Sequence, residues 1–208
     1  SQERIAISPG TDSEIKSLVP VVSYLRNAEE VQFNIVDENQ RVLRKLTTDR
    51  YIRKNYYNRG NNATNIVNPY SQWDGKINNK IAKDGIYYYE IKGKLQGSNI
   101  WQEKRYPVIV DTKLPDIDNL TYEDGKIKWS AFDFGSGLSH FYIYGDGENI
   151  LGKNNVYAAR RKNGNFEHDY NGEIYDNIKI IAMDCAGNKS EKTLIIAEDN
   201  DSPEIYIT

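Results

Sequence analysis

The sequence predicts an all-β protein made of two immunoglobulin-like or fibronectin-like β-sandwiches in tandem. Three observations predict it. Apolar and polar residues alternate with period two in several short runs, as in strands with one buried face. Turn-forming pairs such as Asp-Gly punctuate those runs at close spacing. A Pro-acid-Ile junction occurs twice, at Pro115-Asp116-Ile117 and again at Pro203-Glu204-Ile205.

Composition agrees. At 208 residues the chain is long enough for two small domains, each with its own core. A hydrophobic share of 38%, with 16 tyrosines, argues for folded strands rather than disorder. No apolar run reaches the roughly 20 residues that span a bilayer. Residues 1–7 lack the basic start and apolar centre of a signal peptide, and there is no initiator Met. A piece of a longer protein is the expectation. Cys185 is the only cysteine, which excludes an intrachain disulfide and a cysteine-based zinc site. Its expected role is a small residue at a strand end. Residues 1–111 hold 17 basic and 13 acidic side chains, net +4, and residues 112–208 hold 10 and 17, net −7. Neither balance implies nucleic acid as a partner.

In chain order, Arg4 to Ile7 reads as a short strand closed by Ser8-Pro9-Gly10. Val21, Val22, Tyr24 and Leu25 form a second candidate strand. Val31, Phe33 and Ile35 then alternate with Gln32 and Asn34, Asp37 to Gln40 turns the chain, and Val42 to Leu46 returns. From Arg41 to Arg59 stand seven basic residues (Arg41, Arg44, Lys45, Arg50, Arg53, Lys54, Arg59) against Asp49, with Tyr51, Tyr56 and Tyr57 between them. This is either a stripe for an anionic polymer or, as we prefer, the solvated face of two strands. Residues 58–72 form an Asn-rich loop, and its Arg59-Gly60-Asn61 lacks the Asp of an integrin-binding tripeptide. Trp73-Asp74-Gly75 makes a sharp turn with its aromatic lying over the core. Asp84-Gly85 turns again into a strand that sets Tyr87 and Tyr89 on one face and Tyr88 on the other. Gly97-Ser98-Asn99 leads to Ile100-Trp101 and a closing strand from Arg105 to Val110. The first domain is thus placed at 1–111, with a junction at Asp111 to Pro115 where Pro keeps the chain extended.

The second domain, 112–198, opens its core with Lys126-Ile127-Lys128-Trp129-Ser130-Ala131, which puts Ile127, Trp129 and Ala131 inside. Ser136-Gly137-Leu138 turns into His140 to Tyr144, and Asp146-Gly147 turns again. Later strands fall near 155–160, 165–170, 174–184 and 189–197, and Ala186-Gly187-Asn188 makes the last hairpin. Residues 199–208 are placed as a linker and the first strand of a truncated third module.

The Trp-Asp-Gly, spacer, Asp-Gly-x-Tyr pattern resembles bacterial fibronectin-like and immunoglobulin-like surface modules. Together with Arg53-Lys54-Asn55-Tyr56 and Tyr106-Pro107-Val108-Ile109-Val110-Asp111-Thr112, it resembles the fibronectin-like domains that follow the protease domain in cell-envelope subtilisin-like proteases of Gram-positive bacteria, the lactocepin group among them. The resemblance implies a non-catalytic fragment of a serine endopeptidase, extracellular and attached to the wall. It also implies contact with the protease domain of the same chain and with a protein substrate or host protein. An adhesive stalk that binds a host protein or wall polymer is the alternative.

No catalytic, cofactor-binding or metal residue is assigned. Asp133-Phe134-Gly135 matches the kinase metal-binding tripeptide without its companions. His140 and His168 lack the Gly-rich surroundings of a subtilisin-type site. Asp199-Asn200-Asp201-Ser202-Pro203 is the best calcium candidate, and a polar linker is the preferred reading. Trp73, Trp101 and Trp129 fall where a core role is easier to explain than sugar stacking.

Overall fold

A computed structural model describes residues 5–22, 24–54, 69–170 and 174–196. The chain divides into two compact units. One gathers Ser1–Leu114 with Phe134–Ser136 and Asp184–Asn188; the other gathers Pro115–Asp133, Gly137–Met183 and Lys189–Thr208. The described residues form strands and one short 3-10 turn, Pro69–Ser71.

The first unit holds β1 (Ile5–Ile7), β2 (Ala28–Val36), β3 (Val42–Ile52), β4 (Lys76–Ile77), β5 (Lys80–Ile81), β6 (Gly85–Leu95) and β7 (Trp101–Val110). Five of them make one sheet in the order β1-β7-β6-β2-β3. The predicted hairpin forms β2 and β3, and Asp37 closes it by accepting the backbone N–H groups of Asn39 and Arg41. The apolar positions fall as expected, with Val31, Phe33, Ile35 and Tyr89 buried and Tyr87 packed beside them, but the alternation breaks at Asn34, which is buried as well. Strand β1 joins parallel to β7, with Ile5 beside Val108. Pro107 lies one residue short of that pairing, where β7 needs no donor on that side.

Among the described residues, the second layer of this unit is not a broad sheet. It consists of the β4–β5 hairpin and irregular chain from residues 8–22 and 69–84. The expected strand at Val21 to Leu25 does not form. Leu18 takes the pairing position instead, exchanging two backbone hydrogen bonds with Trp73 (2.9 and 3.0 Å). Pro20, which lacks a donor, follows two residues later. Val21 and Leu25 are exposed, whereas Tyr24 reaches the core.

The Trp-Asp-Gly turn supplies the lid of that core. Trp73 is fully buried, sets its edge against Tyr87 at 5.5 Å, and donates its indole N–H to the Lys76 carbonyl at 3.0 Å. Asp74 accepts the Lys76 N–H, and Gly75 turns at φ +72°, a conformation that suits glycine. The Tyr89 hydroxyl donates to the Ser71 carbonyl at 2.6 Å, tying the 3-10 turn to the sheet.

The second unit is a sandwich of two sheets. Strands β8 (Asp116–Glu123), β9 (Lys126–Phe132) and β13 (Asn163–Asp169) form one, in the order β13-β9-β8. The other runs β11 (Glu148–Asn149), β10 (Leu138–Gly145), β14 (Asn177–Asp184), β15 (Lys189–Ile195), with β12 (Val156–Tyr157) also paired to β10. A three-stranded sheet facing a five-stranded one, in which β11 and β12 both pair with β10, is the immunoglobulin- and fibronectin-like arrangement. Its core centres on Trp129, packed at 5.3 Å against Phe141 and 5.9 Å against Phe166, with Ile127 and Ala131 buried as expected. Asp124-Gly125 and Asp146-Gly147 both turn with positive φ at the two central residues, the geometry that matches strand twist.

Candidate functional site

Among the described residues the two histidines lie on strands of different sheets. His140, on β10, accepts or donates at Nδ1 to the neighbouring Ser139 hydroxyl at 2.9 Å, and its ring meets Tyr142 edge-on. Burial, and then the Lys189 charge, hold its imidazole below the usual 6.5. A hydrolytic serine–histidine pair needs a third group to orient the imidazole through its other nitrogen. Nε2 of His140 is buried with no hydrogen-bond partner among the described residues. His168 stands on β13 opposite Ile127, in the other sheet. Asp133 is buried and accepts the Gly137 N–H as a turn-former, and Phe134 is exposed. Cys185 is a half-buried thiol.

Buried polar groups gather in the first unit, where sequence reasoning did not place them. Oxygens of Asp111 and Asp184 lie within 4.8 Å of each other. Asp111 accepts the Lys113 and Ser136 N–H groups, and Asp184 accepts the Ala186 and Asn188 N–H groups and the Asn188 amide. Asn188 also donates to the Asp111 carbonyl and accepts from the Ser8 hydroxyl. These carboxylates are held by backbone donors, as structural turn-formers are. The calcium candidate at Asp199 and Asp201 lies outside the described residues, as do Tyr56, Tyr57 and Arg59 of the basic stripe. Within that stripe Arg41 pairs with Asp37, Arg44 with Asp74 and Arg50 with Glu30. Of the three tryptophans, Trp101 departs from its expected core role: it is 37% exposed, with the ammonium groups of Lys92 and Lys94 each 5.8 Å from its ring.

Among the described residues, an open concave surface lies in the second unit, on the β13-β9-β8 sheet. It is a groove of about 380 Å³ lined by Asn119, Lys128, Trp129, Ser130, Asn165, Phe166 and Glu167. Pairing places Lys128 opposite Glu167 and Ser130 opposite Asn165. On the other flank the β8–β9 register slips between Asp118 and Thr121, and Asn119 within that bulge adopts φ +50°. The irregularity aims the Asn119 amide at the Ser130 hydroxyl (2.9 Å). Bulges re-aim side chains and recur beside functional sites. Glu167 is bonded to Lys126 at 2.9 Å, which together with Asp169 pushes the Lys126 ammonium above its usual range. The indole N–H of Trp129 has no acceptor among the described residues. Nothing in the sequence marks this groove, because the bulge that shapes it is a property of strand pairing.

No protein-family model matches the chain. Among solved structures, fibronectin(III)-like modules of Clostridium thermocellum CbhA superpose with a TM-score of 0.44 at 15% identity, covering 100% of this chain and 96% of theirs. Bovine butyrophilin superposes with a TM-score of 0.34 at 12% identity, covering 95% and 96%. The PI-type proteinase of Lactococcus lactis subsp. cremoris is 30% identical over 116 residues, which is 50% of this chain and 6% of that protein. The PII-type proteinase of the same organism is 30% identical over 115 residues, with the same coverage. Half of this all-β chain is therefore distantly similar in sequence to a small part of lactococcal PI- and PII-type proteinases, the lactocepin group to which its tyrosine strand and flanking motifs point.

Proposed function

We propose that the chain is an accessory, non-catalytic part of a subtilisin-like serine endopeptidase of a Gram-positive cell envelope. In this reading its β-units space the protease domain from the wall and help dock large protein substrates, outside the cell. The carrying observation is the 30% identity to a proteinase over half the chain. It is supported by side chains that gather no nucleophile, base and acid among the described residues. Rigid β-units with short turns suit a spacer, since strand pairing resists bending better than an open linker does.

Two measurements test it. The reading frame on the amino-terminal side should encode a subtilisin-type catalytic domain. Deleting the segment 1–208 from that full protein should lower kcat/KM on a folded protein substrate by about tenfold, while a short chromogenic peptide is cleaved within about twofold of the original rate. Equal losses on both substrates, or a reading frame without a protease domain, overturn the proposal.

A further inference from the structure

We propose that the groove on the β13-β9-β8 sheet binds a neutral, hydroxyl-rich ring, one or two sugar units in size. This inference rests on the groove alone and holds whichever protein the chain belongs to.

About 380 Å³ is the scale of a small-molecule pocket, and the groove is read as one. Charge then narrows the ligand. Lys128 and Glu167 face each other across the strand pair, so an anion would meet Glu167 and a cation Lys128. A calcium ion wants six to eight oxygens, and the one carboxylate in the lining is already engaged by Lys126. What is left is uncharged and polar.

The remaining groups fit hydroxyls. Asn119, Asn165 and Ser130 each offer a donor and an acceptor, as each sugar hydroxyl does. Because the Asn119 amide donates to the Ser130 oxygen, the serine proton and the Asn119 carbonyl oxygen are directed elsewhere. The bulge holds Asn119 in a left-handed conformation, a local cost that fixes its position before any ligand arrives. Trp129 contributes only its place in the wall, since its indole N–H is itself buried. Its ring faces Phe141 and Phe166 in the core, so recognition here proceeds by hydrogen bonds and not by ring stacking. Affinity is accordingly modest, with Kd on the order of 1 mM.

The test is a titration of the 208-residue chain with cellobiose and with N,N′-diacetylchitobiose, followed by ¹H–¹⁵N spectra up to about 20 mM, well above a Kd on the order of 1 mM. The expected result is saturable shifts for at least one sugar at the amides of Asn119, Ser130 and Asn165. Asn165→Ala, at an exposed strand position, should raise Kd at least about fivefold and leave signals outside the groove unmoved. Ser130→Ala serves as the second variant and should act in the same direction. No saturable shift with either sugar, shifts centred on Trp101, unchanged binding in both variants, or tighter binding of acetate or ammonium than of either sugar would overturn the proposal.

Discussion

Each unit is organised around a buried tryptophan, yet the two achieve it differently. Trp129 sits mid-strand in a sandwich whose two sheets both contribute to the core. Trp73 sits in a turn, and it covers a five-stranded sheet whose opposite layer is mostly irregular chain. A sheet needs its apolar face covered, but the cover need not be a sheet. In the first unit specific hydrogen bonds and one glycine turn stand in for the missing strand ladder. In the second, paired strands supply both faces of the core, with one register slip between β8 and β9. The first unit is therefore the more sensitive to turn chemistry, and the second to core volume.

Glycine substitutions give the sharpest contrast. Gly75 has φ +72°, and an added Cβ would lie 2.5 Å from the Pro9 side chain. Gly125 has φ +73°, and an added Cβ would meet nothing within 4 Å. Both alanine variants incur the left-handed penalty of about 1–2 kcal/mol, and only Gly75→Ala adds overpacking, for a total of about 3 kcal/mol. Urea denaturation read from the amide signals of each unit should show the larger loss in the first. Equal losses would mean that the Trp-Asp-Gly turn tolerates displacement, and the contrast between the units would fail.

A smaller difference is expected from the tryptophans themselves. Trp73→Phe removes a hydrogen bond to the Lys76 carbonyl, whereas Trp129→Phe removes a donor that lacks a partner. Beyond the similar loss of volume, Trp73→Phe should cost about 1 kcal/mol more, measured in the same denaturation experiment. If Trp129→Phe costs as much, its N–H has an acceptor that is more than a passing water.

Much of this was legible in the sequence, and the reason is local. Ile127, Trp129 and Ala131 declare their burial by alternation alone, and Asp-Gly pairs declare their turns by backbone preference. What stayed hidden depends on residues far apart in the chain. Asn34 and Glu90 look like outward-facing polar residues, yet both are buried, and the Asn34 amide donates to Glu90 at 3.0 Å across neighbouring strands. Each is tolerable only because the other is there. Val21 to Leu25 has strand composition but loses its place to Leu18, whose partner Trp73 lies in another segment. The groove depends on a slip in register beside Asn119, which no periodicity records.

The smallest effect expected is electrostatic. Partial burial pushes the Asp74 carboxyl up, but the Arg44 and Lys76 contacts outweigh it and hold the group below its ordinary 3.8. A lowered pKa in the folded state stabilises above the unfolded value, and that contribution disappears as pH falls through the folded one. Asp74→Asn should therefore flatten the acid limb of the first unit's stability below about pH 4. Its side chain is 49% exposed, and solvent screening limits the change to under about 0.5 kcal/mol. An unchanged acid limb would assign the turn's stability to its hydrogen bonds alone.

The parallel pairing of β1 with β7 has a consequence for how the chain is made. Ile5 emerges from the ribosome before its partner Val108, which follows β2 to β6 in the chain. The opening strand must wait unpaired while the hairpin of β2 and β3 forms behind it. Its seat exists only once β6 and β7 have closed. Closure of this sheet edge thus follows translation of β7, the neighbour that β1 joins.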